Sequence, residues 1–465
     1  MSANNVSVLE QFKWEPQPKA QALVNELIGE FLAGCPRAAE LAEKMRTQSA
    51  TRFFDWIDHI HAPATDAMRS RLANAGFRTI NREGAKECYH NPDGIFPEIL
   101  LDGSGALRIA VKVDSAADFA ATWMLGSESP IVGEPFGQMR RVLAFRGAKG
   151  EELWAIERHG CRSYATPRPD AQKAVLAQKH LEALRSRKRD FANDSEGFAL
   201  IDTLVDAAIK DLGVDWTCDL FFAAERDYWQ RRNRAARAQK ARQDSLGLGW
   251  ANHDHHTYRC SREQFKSLIR LWEKLGFKAR ERFYAGAEAG WGAQVMEQPV
   301  TGITTFNDVD MSPEELMGDF AHDGLPAKKE LGTVGLWCGL HGEAVLQAGM
   351  HHLECMFDWH LLVKQLEDEA HVKTMAPFTT FAYLRQAFTE GERWCVSEQR
   401  IARLLEKGQI TKEQAEQFKK SGAIGSHLEN LERNDGFKGF NQQGVSDIIA
   451  RTDPRKLAQP AMAGA

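Results

Sequence analysis

Three histidines fall within four positions of the stretch Asn252 to Arg259, which reads NHDHHTYR. Neutral imidazole is the commonest protein ligand for metal ions, so this spacing raises metal chemistry before anything else. Side chains alternate along a strand, which would put His253, His255, Thr257 and Arg259 on one face and Asp254, His256 and Tyr258 on the other. One face then offers an imidazole ligand and, four residues on, a guanidinium able to clamp a substrate carboxylate through two parallel hydrogen bonds. A second stretch, Asp58-His59-Ile60-His61, carries the same Asp-His pair. A lone histidine in a strand is usually a hydrogen-bonded core residue; the recurrence of the pair is what argues for ligands.

The elements that must position these residues repeat as well. From Arg52 the pattern reads as a strand through His61, a helix from Thr65 to Ala75, a strand after Gly76-Phe77 and a strand at Cys88-Tyr89-His90. The turn Asn91-Pro92-Asp93-Gly94 leads into a strand from Phe96 to Leu101, giving the order βαβββ. Residues 107–160 hold a candidate second copy: a strand Leu107 to Val113, a helix from Ser115, and a hairpin with arms Arg140 to Arg146 and Glu152 to His159. Residues 163–248 read as a helical insertion. Its arginine-rich run, Gln230 to Gln243, is taken as a solvated helix face rather than a nucleic-acid site. At Trp250 the order returns, with NHDHHTYR as the strand and Ser261 to Gln264 as an S-x-x-Q capping box. The following helix buries Phe265, Leu268, Ile269, Trp272 and Leu275 and stops at Gly276. Strands at Phe277 to Tyr284 and Trp291 to Gln298, a helix from Ser312-Pro313, and strands within Gly332 to Gly339 and Glu343 to His351 complete this half. Residues 1–50 and 361–465 read as N- and C-terminal helices, Thr411 to Gln414 forming another capping box, and the tail after Asp453-Pro454 is expected to fray. Gly76 follows His59 by 17 residues and Gly276 follows His255 by 21, which makes the two histidines counterparts on the first strands of two units, 51–162 and 249–360. The expected fold class is α+β, built of paired βαβββ modules with large helical insertions.

Composition sets outer bounds. The 465 residues are 43% apolar and 26% charged with a formal net charge of −5, ordinary for a soluble globular chain and unlike a general nucleic-acid binder. No basic leader precedes the first apolar segment and no apolar run approaches the roughly 20 residues that span a bilayer, so the chain reads as cytoplasmic. The eight cysteines are scattered with no CxxC pair, which leaves imidazole and carboxylate to hold any metal.

These features resemble the vicinal oxygen chelate superfamily, whose paired βαβββ modules curl into a metal-binding cup. Asp58-His59-Ile60 is similar to its first-strand ligand context, and Glu98 after Asn91-Pro92-Asp93-Gly94 is similar to its last-strand glutamate. The arrangement is that of 4-hydroxyphenylpyruvate dioxygenase and the extradiol dioxygenases. The nearer resemblance is to the 2-oxoadipate dioxygenase/decarboxylase (D-2-hydroxyglutarate synthase) family, through His255-His256-Thr257-Tyr258-Arg259 and through Gly342-Glu343 to Gln347 and Gly349, with one residue inserted. The family's arginine four residues after its first ligand is Pro63 here.

The resemblance implies a mononuclear Fe(II) site of His59, His255 and Glu343, with Glu98 the alternative carboxylate and Glu297 and Glu354 further candidates. Arg259, His253 and Gln347 would contact the substrate, and of His351-His352 at most one would point inward. The implied activity is a dioxygenase acting with O2 on a small organic acid, a 2-oxo acid in type, with or without decarboxylation. A glyoxalase-type isomerase or lyase using Zn, Mn, Ni or Co is the alternative, which four protein ligands would favour. A metal-free small-molecule-binding protein is the third reading. Partners beyond substrate and O2, nucleic acid or membrane included, are not expected.

Overall fold

The computed structural model describes residues 14–165, 170–286, 289–441 and 455. Two helices lead, α1 (Pro18–Gly34) and α2 (Pro36–Ser49), each with proline in its first turn, where no backbone N–H is missed. The first βαβββ unit is β1 (Ile57–Pro63), α3 (Asp66–Asn74), β2 (Arg78–Ile80), β3 (Glu87–His90) and β4 (Glu98–Asp102). A second unit follows as β5 (Arg108–Lys112), α4 (Ala116–Thr122), β6 (Met139–Arg146) and β7 (Glu152–Arg158). Together they make one seven-stranded sheet in the order β2-β3-β4-β1-β5-β7-β6, with β1 and β5 antiparallel at its centre. The copy expected at 107–160 is therefore real.

The insertion is four helices, α5 (Ala171–Ser186), α6 (Asp194–Leu212), α7 (Val214–Arg231) and α8 (Arg234–Asp244). Helix α8 buries Ala235, Ala236, Gln239 and Gln243, while Arg234 and Lys240 pair with Glu390 and Asp244 near the surface, as a solvated basic face would.

The third unit is β8 (His253–Arg259), α9 (Phe265–Lys274), β9 (Lys278–Tyr284), β10 (Trp291–Glu297) and β11 (Thr304–Asp310). After α10 (Phe320–Asp323) and α11 (Thr333–His341), a fourth unit runs β12 (His352–Met356), α12 (Trp359–Ala370), β13 (Thr379–Phe381), β14 (Leu384–Phe388), β15 (Glu392–Trp394), α13 (Glu398–Glu406), α14 (Lys412–Ser421) and β16 (Ala423–Arg433). The second sheet has nine strands, in the order β13-β14-β16-β12-β8-β11-β10-β9 with β15 against β16. Each unit closes by laying its last strand parallel to its first, β4 on β1, β7 on β5, β11 on β8 and β16 on β12. Helices α3 and α9 both end at a glycine with φ of 85°, a conformation a Cβ disfavours, which is why Gly76 and Gly276 recur.

Several expectations fail in the second half. Gly332 to Gly339 and Glu343 to His351 are not strands: the first is mostly α11, and the second holds a single π-helical turn, Ala344–Ala348. Residues 332–341 include three glycines and bulky apolar side chains buried all round, a composition that does not separate helix from strand. The C-terminal segment read as helices contains β13 to β16, although Thr411 and Gln414 do form the expected reciprocal cap of α14. Ser261 caps nothing, since α9 starts at Phe265 without a side-chain cap, and Ser312-Pro313 precedes only a short 3-10 turn, Glu315–Met317. The tail after Pro454 lies outside the described residues apart from Arg455.

One apolar core joins the first sheet to α1 and α2, and another lies between the second sheet and the inserted helices. No helix among the described residues is long and apolar enough to cross a membrane.

Candidate metal centre

The concave side of the second sheet gathers its polar side chains at the β8–β12–β16 junction. His352 and Glu354 are two apart on β12 and share a face, and Glu354 stands in register with Glu429 on β16. His255 reaches the same point from β8, opposite an irregularity in the β8–β12 pairing between Leu353 and Cys355. One ligand atom from each of His255, His352, Glu354 and Glu429 lies within 4.8 Å of the others, and all four residues are buried. Glu354 Oε1 contacts His255 Nε2 and stands 3.2 Å from His352 Nε2, which is 3.4 Å from Glu429 Oε2. Gln386 on β14 donates to the other Glu429 oxygen at 3.0 Å.

The surroundings aim these groups. His255 Nδ1 donates to Asp254 at 2.8 Å, and Asp254 is held by Arg433 at the end of β16, at 3.1 and 3.2 Å. That hydrogen bond fixes the tautomer, leaving the Nε2 lone pair for a metal. Burial lowers the His255 pKa to about 4 against the pull of Asp254, so the ring is neutral at pH 7. Burial also raises Glu429 to about 7 and, with the charge of Glu429 beside it, raises Glu354 well above the carboxylate range. Among the described residues neither buried carboxylate has an ion pair with a lysine or arginine, Arg433 being held by Asp254 and acting on them only through space, and Glu354 Oε2 is buried with no hydrogen-bond partner. The donor set, two imidazole nitrogens and carboxylate oxygens, suits a divalent first-row metal.

Beside the donors is a chamber of about 60 Å³. Phe283, Trp291, Phe306, Phe378, Phe388 and Phe440 form most of its wall, and Thr257, Arg259, Asp308, His351 and His427 are its further polar groups. Burial raises the Asp308 carboxyl to about 8 in spite of Arg259, whose Nε is 4.0 Å away.

The sequence-predicted residues divide. His255 is in the cluster and Arg259 lines the chamber. His59 sits on the other sheet, bonded to Asp58 at 2.6 Å, and is not among the clustered donors. Glu343 is not there either: it lies between α11 and the π-turn and accepts from the Ser261 backbone N–H at 3.0 Å. Glu98 is claimed by Arg82 at 2.6 Å and by the Tyr164 hydroxyl at 2.7 Å, and Glu297 by Lys438 at 3.4 Å. Gln347 accepts from Arg400 at 2.9 Å, away from the chamber. His253 leaves the face of His255 because the pairing shifts there; its ring packs 5.0 Å from His256. Both His351 and His352 reach the chamber, since β12 begins at His352 and strand alternation does not govern the residue before it.

His352 and Glu429 are the donors that sequence reasoning did not place. A signal for Glu429 was present: β7 ends in Glu157-Arg158 and β16 in Glu432-Arg433, and each arginine holds the aspartate of an Asp-His pair, Arg158 on Asp58 at 2.9 Å and Arg433 on Asp254. Aligning those dipeptides would have marked residues 423–433 as a closing strand.

No protein-family model and no curated protein matches the chain. Among solved structures it is similar to a methylmalonyl-CoA epimerase from Mycobacterium tuberculosis, at 11% identity and a TM-score of 0.23 over 40% of this chain and 89% of that one. It is similar to a putative glyoxalase superfamily protein from Ralstonia eutropha JMP134, at 12% identity and 0.30 over 57% and 97%. It is also similar to a variant of 4-hydroxymandelate synthase from Streptomyces coelicolor, at 13% identity and 0.26 over 87% and 99%. Likeness at this level carries no argument about chemistry. The fold, α+β with paired βαβββ modules curled into two half-barrels and large helical insertions, stands on the strand pairing itself.

Proposed function

We propose that the chain is a mononuclear non-haem Fe(II) dioxygenase of a small organic acid, with His255, His352 and Glu429 as the metal-holding residues. The observation that carries this reading is two buried imidazoles and two carboxylates converging beside a chamber with a largely aromatic wall. Fe(II) held by such a set keeps positions for a chelating acid and for O2 and supplies the one-electron chemistry that dioxygen requires. The protein's part is positional. Asp254 and Arg433 hold the His255 ring, Gln386 orients Glu429, and Arg259 on the chamber wall supplies positive charge for a substrate carboxylate. The aromatic wall excludes water, which strengthens each of these interactions.

Glu354 favours a second reading. As a fourth donor it leaves fewer open positions, and it would serve as the base of a metal-dependent isomerase or lyase using Zn, Mn, Ni or Co. The experiment is anaerobic Fe(II) reconstitution followed by oxygen-uptake screening against 2-oxo acids and catechols, with wild type, His255→Ala and Glu354→Gln. Uptake that His255→Ala abolishes and Glu354→Gln retains is the dioxygenase result. No uptake with any acid, together with metal loss in Glu354→Gln, moves the assignment to the isomerase.

A further inference from the structure

A larger cavity, about 470 Å³, lies between the two sheets, in the size range of pockets that enclose small molecules. Its walls carry both Asp-Arg clamps, Asp58 with Arg158 and Asp254 with Arg433. Its other carboxylates are engaged too: Asp55 with Arg52 at 2.7 Å, Glu98 with Arg82, Asp219 with His159 at 2.8 Å, and Glu297 with Lys438. One cation in the wall is unmatched. Lys112, the last residue of β5, makes no hydrogen bond or ion pair among the described residues, although Asp58 and Asp219 are near enough to act on it through space. Lys112 is half-buried and lines this cavity. Phe54, Phe96 and Val300 add apolar surface to the same wall.

A half-buried lysine with no direct ion pair among the described residues is costly unless an anion comes to it. We propose that the cavity between the sheets is a second ligand site, for a small organic carboxylate with its carboxylate on Lys112. The site stands on Lys112 and the cavity alone and does not depend on the metal centre. Burial also lowers the lysine pKa, so the amine has a reactive free-base fraction nearer neutral pH than surface lysines do.

The test is reductive trapping on the whole 465-residue chain. Glyoxylate is the carboxylate probe and formaldehyde its uncharged control. In each case the amine adds to the aldehyde, water leaves to form the imine, and cyanoborohydride delivers hydride to give a secondary amine, located by peptide mapping. Lys112 labelling by glyoxylate is expected to saturate with concentration and to exceed that of surface lysines by about tenfold, the factor of one charge-assisted hydrogen bond. Formaldehyde is expected to show no saturation and a smaller excess at Lys112, since it shares only the free-base advantage. Labelling of Lys112 that is linear in glyoxylate, or no faster than at the surface, overturns the proposal, as does an equal preference with formaldehyde. Lys112→Arg, which keeps the charge, is expected to fold and to lose only the Lys112 adduct; an unchanged adduct pattern would place the labelling elsewhere and also overturn it.

Discussion

The two sheets start from the same parts and end with different chemistry. Each has an Asp-His pair on a first strand, with the aspartate held by an arginine that ends a closing strand, and each sets a last-strand glutamate in register with a first-strand polar residue, Glu98 with His59 and Glu429 with Glu354. In the first sheet Arg82 lies on Glu98, so the carboxylate already has its cation. In the second, Glu429 meets another carboxylate and a neutral imidazole. One arginine against one glutamate separates a module that satisfies its charge internally from one whose donors could hold a metal.

Replacing a donor should break the comparison most sharply. Glu429→Gln or His255→Ala is expected to lose metal by more than about 100-fold, beyond the 10–100-fold that outer-shell partners carry, while His59→Ala keeps wild-type affinity. Titration against a competing chelator measures this, and metal loss in His59→Ala would end the distinction between the sheets.

The clamps come next. Arg433→Met and Arg158→Met each strand a buried aspartate and are expected to destabilise by about 3–5 kcal/mol in denaturant unfolding. Only Arg433→Met should also weaken metal binding, by about 10–100-fold. Equal metal affinity in the two variants would mean that Asp254 does not hold its histidine for the metal.

The smallest effect is in pH dependence, and its sign differs between the sheets. Burial pushes His159 down, but hydrogen bonds from its ring to Asp219 and Glu157 outweigh this and raise it to about 10 from an ordinary 6.5. Its stabilisation is complete below pH 6.5 and is lost as pH rises toward 10. With a quarter of the side chain exposed, roughly 2–3 kcal/mol is expected over that window. His427 of the second sheet is lowered to about 4 by burial, so its contribution is present above pH 6.5 and is lost as pH falls toward 4. Stability curves of His159→Gln and His427→Gln should therefore part from wild type on opposite sides of neutrality.

The first unit is legible in the sequence, as is the third from β8 to β10, because their helices end in glycine; the closing strand β11 falls where no strand is expected. His255 and Arg259 are legible because strand alternation holds from His255 to the end of β8, past the register shift that turns His253 away. The pairing of the two histidine strands was misleading: His59 and His255 are counterparts by repeat yet belong to different sheets, and repeat position does not say which modules share a sheet. His352 and Glu429 were obscured for a related reason. Two helices, α13 and α14, interrupt the fourth unit before its last strand, so local periodicity reads the segment as helical while the decisive pairing, β16 on β12, spans about seventy residues.

Phe440 belongs to the wall of both cavities, its ring 5.0 Å from that of His255. On one side stand paired charges and on the other an aromatic chamber, so this ring works as an electrical insulator. The raised pKa values of Glu354 and Glu429 exist only while the medium around them stays poorly polarisable. Removing the ring would let the charged cleft's dielectric reach the carboxylates and retune the centre without touching a ligand.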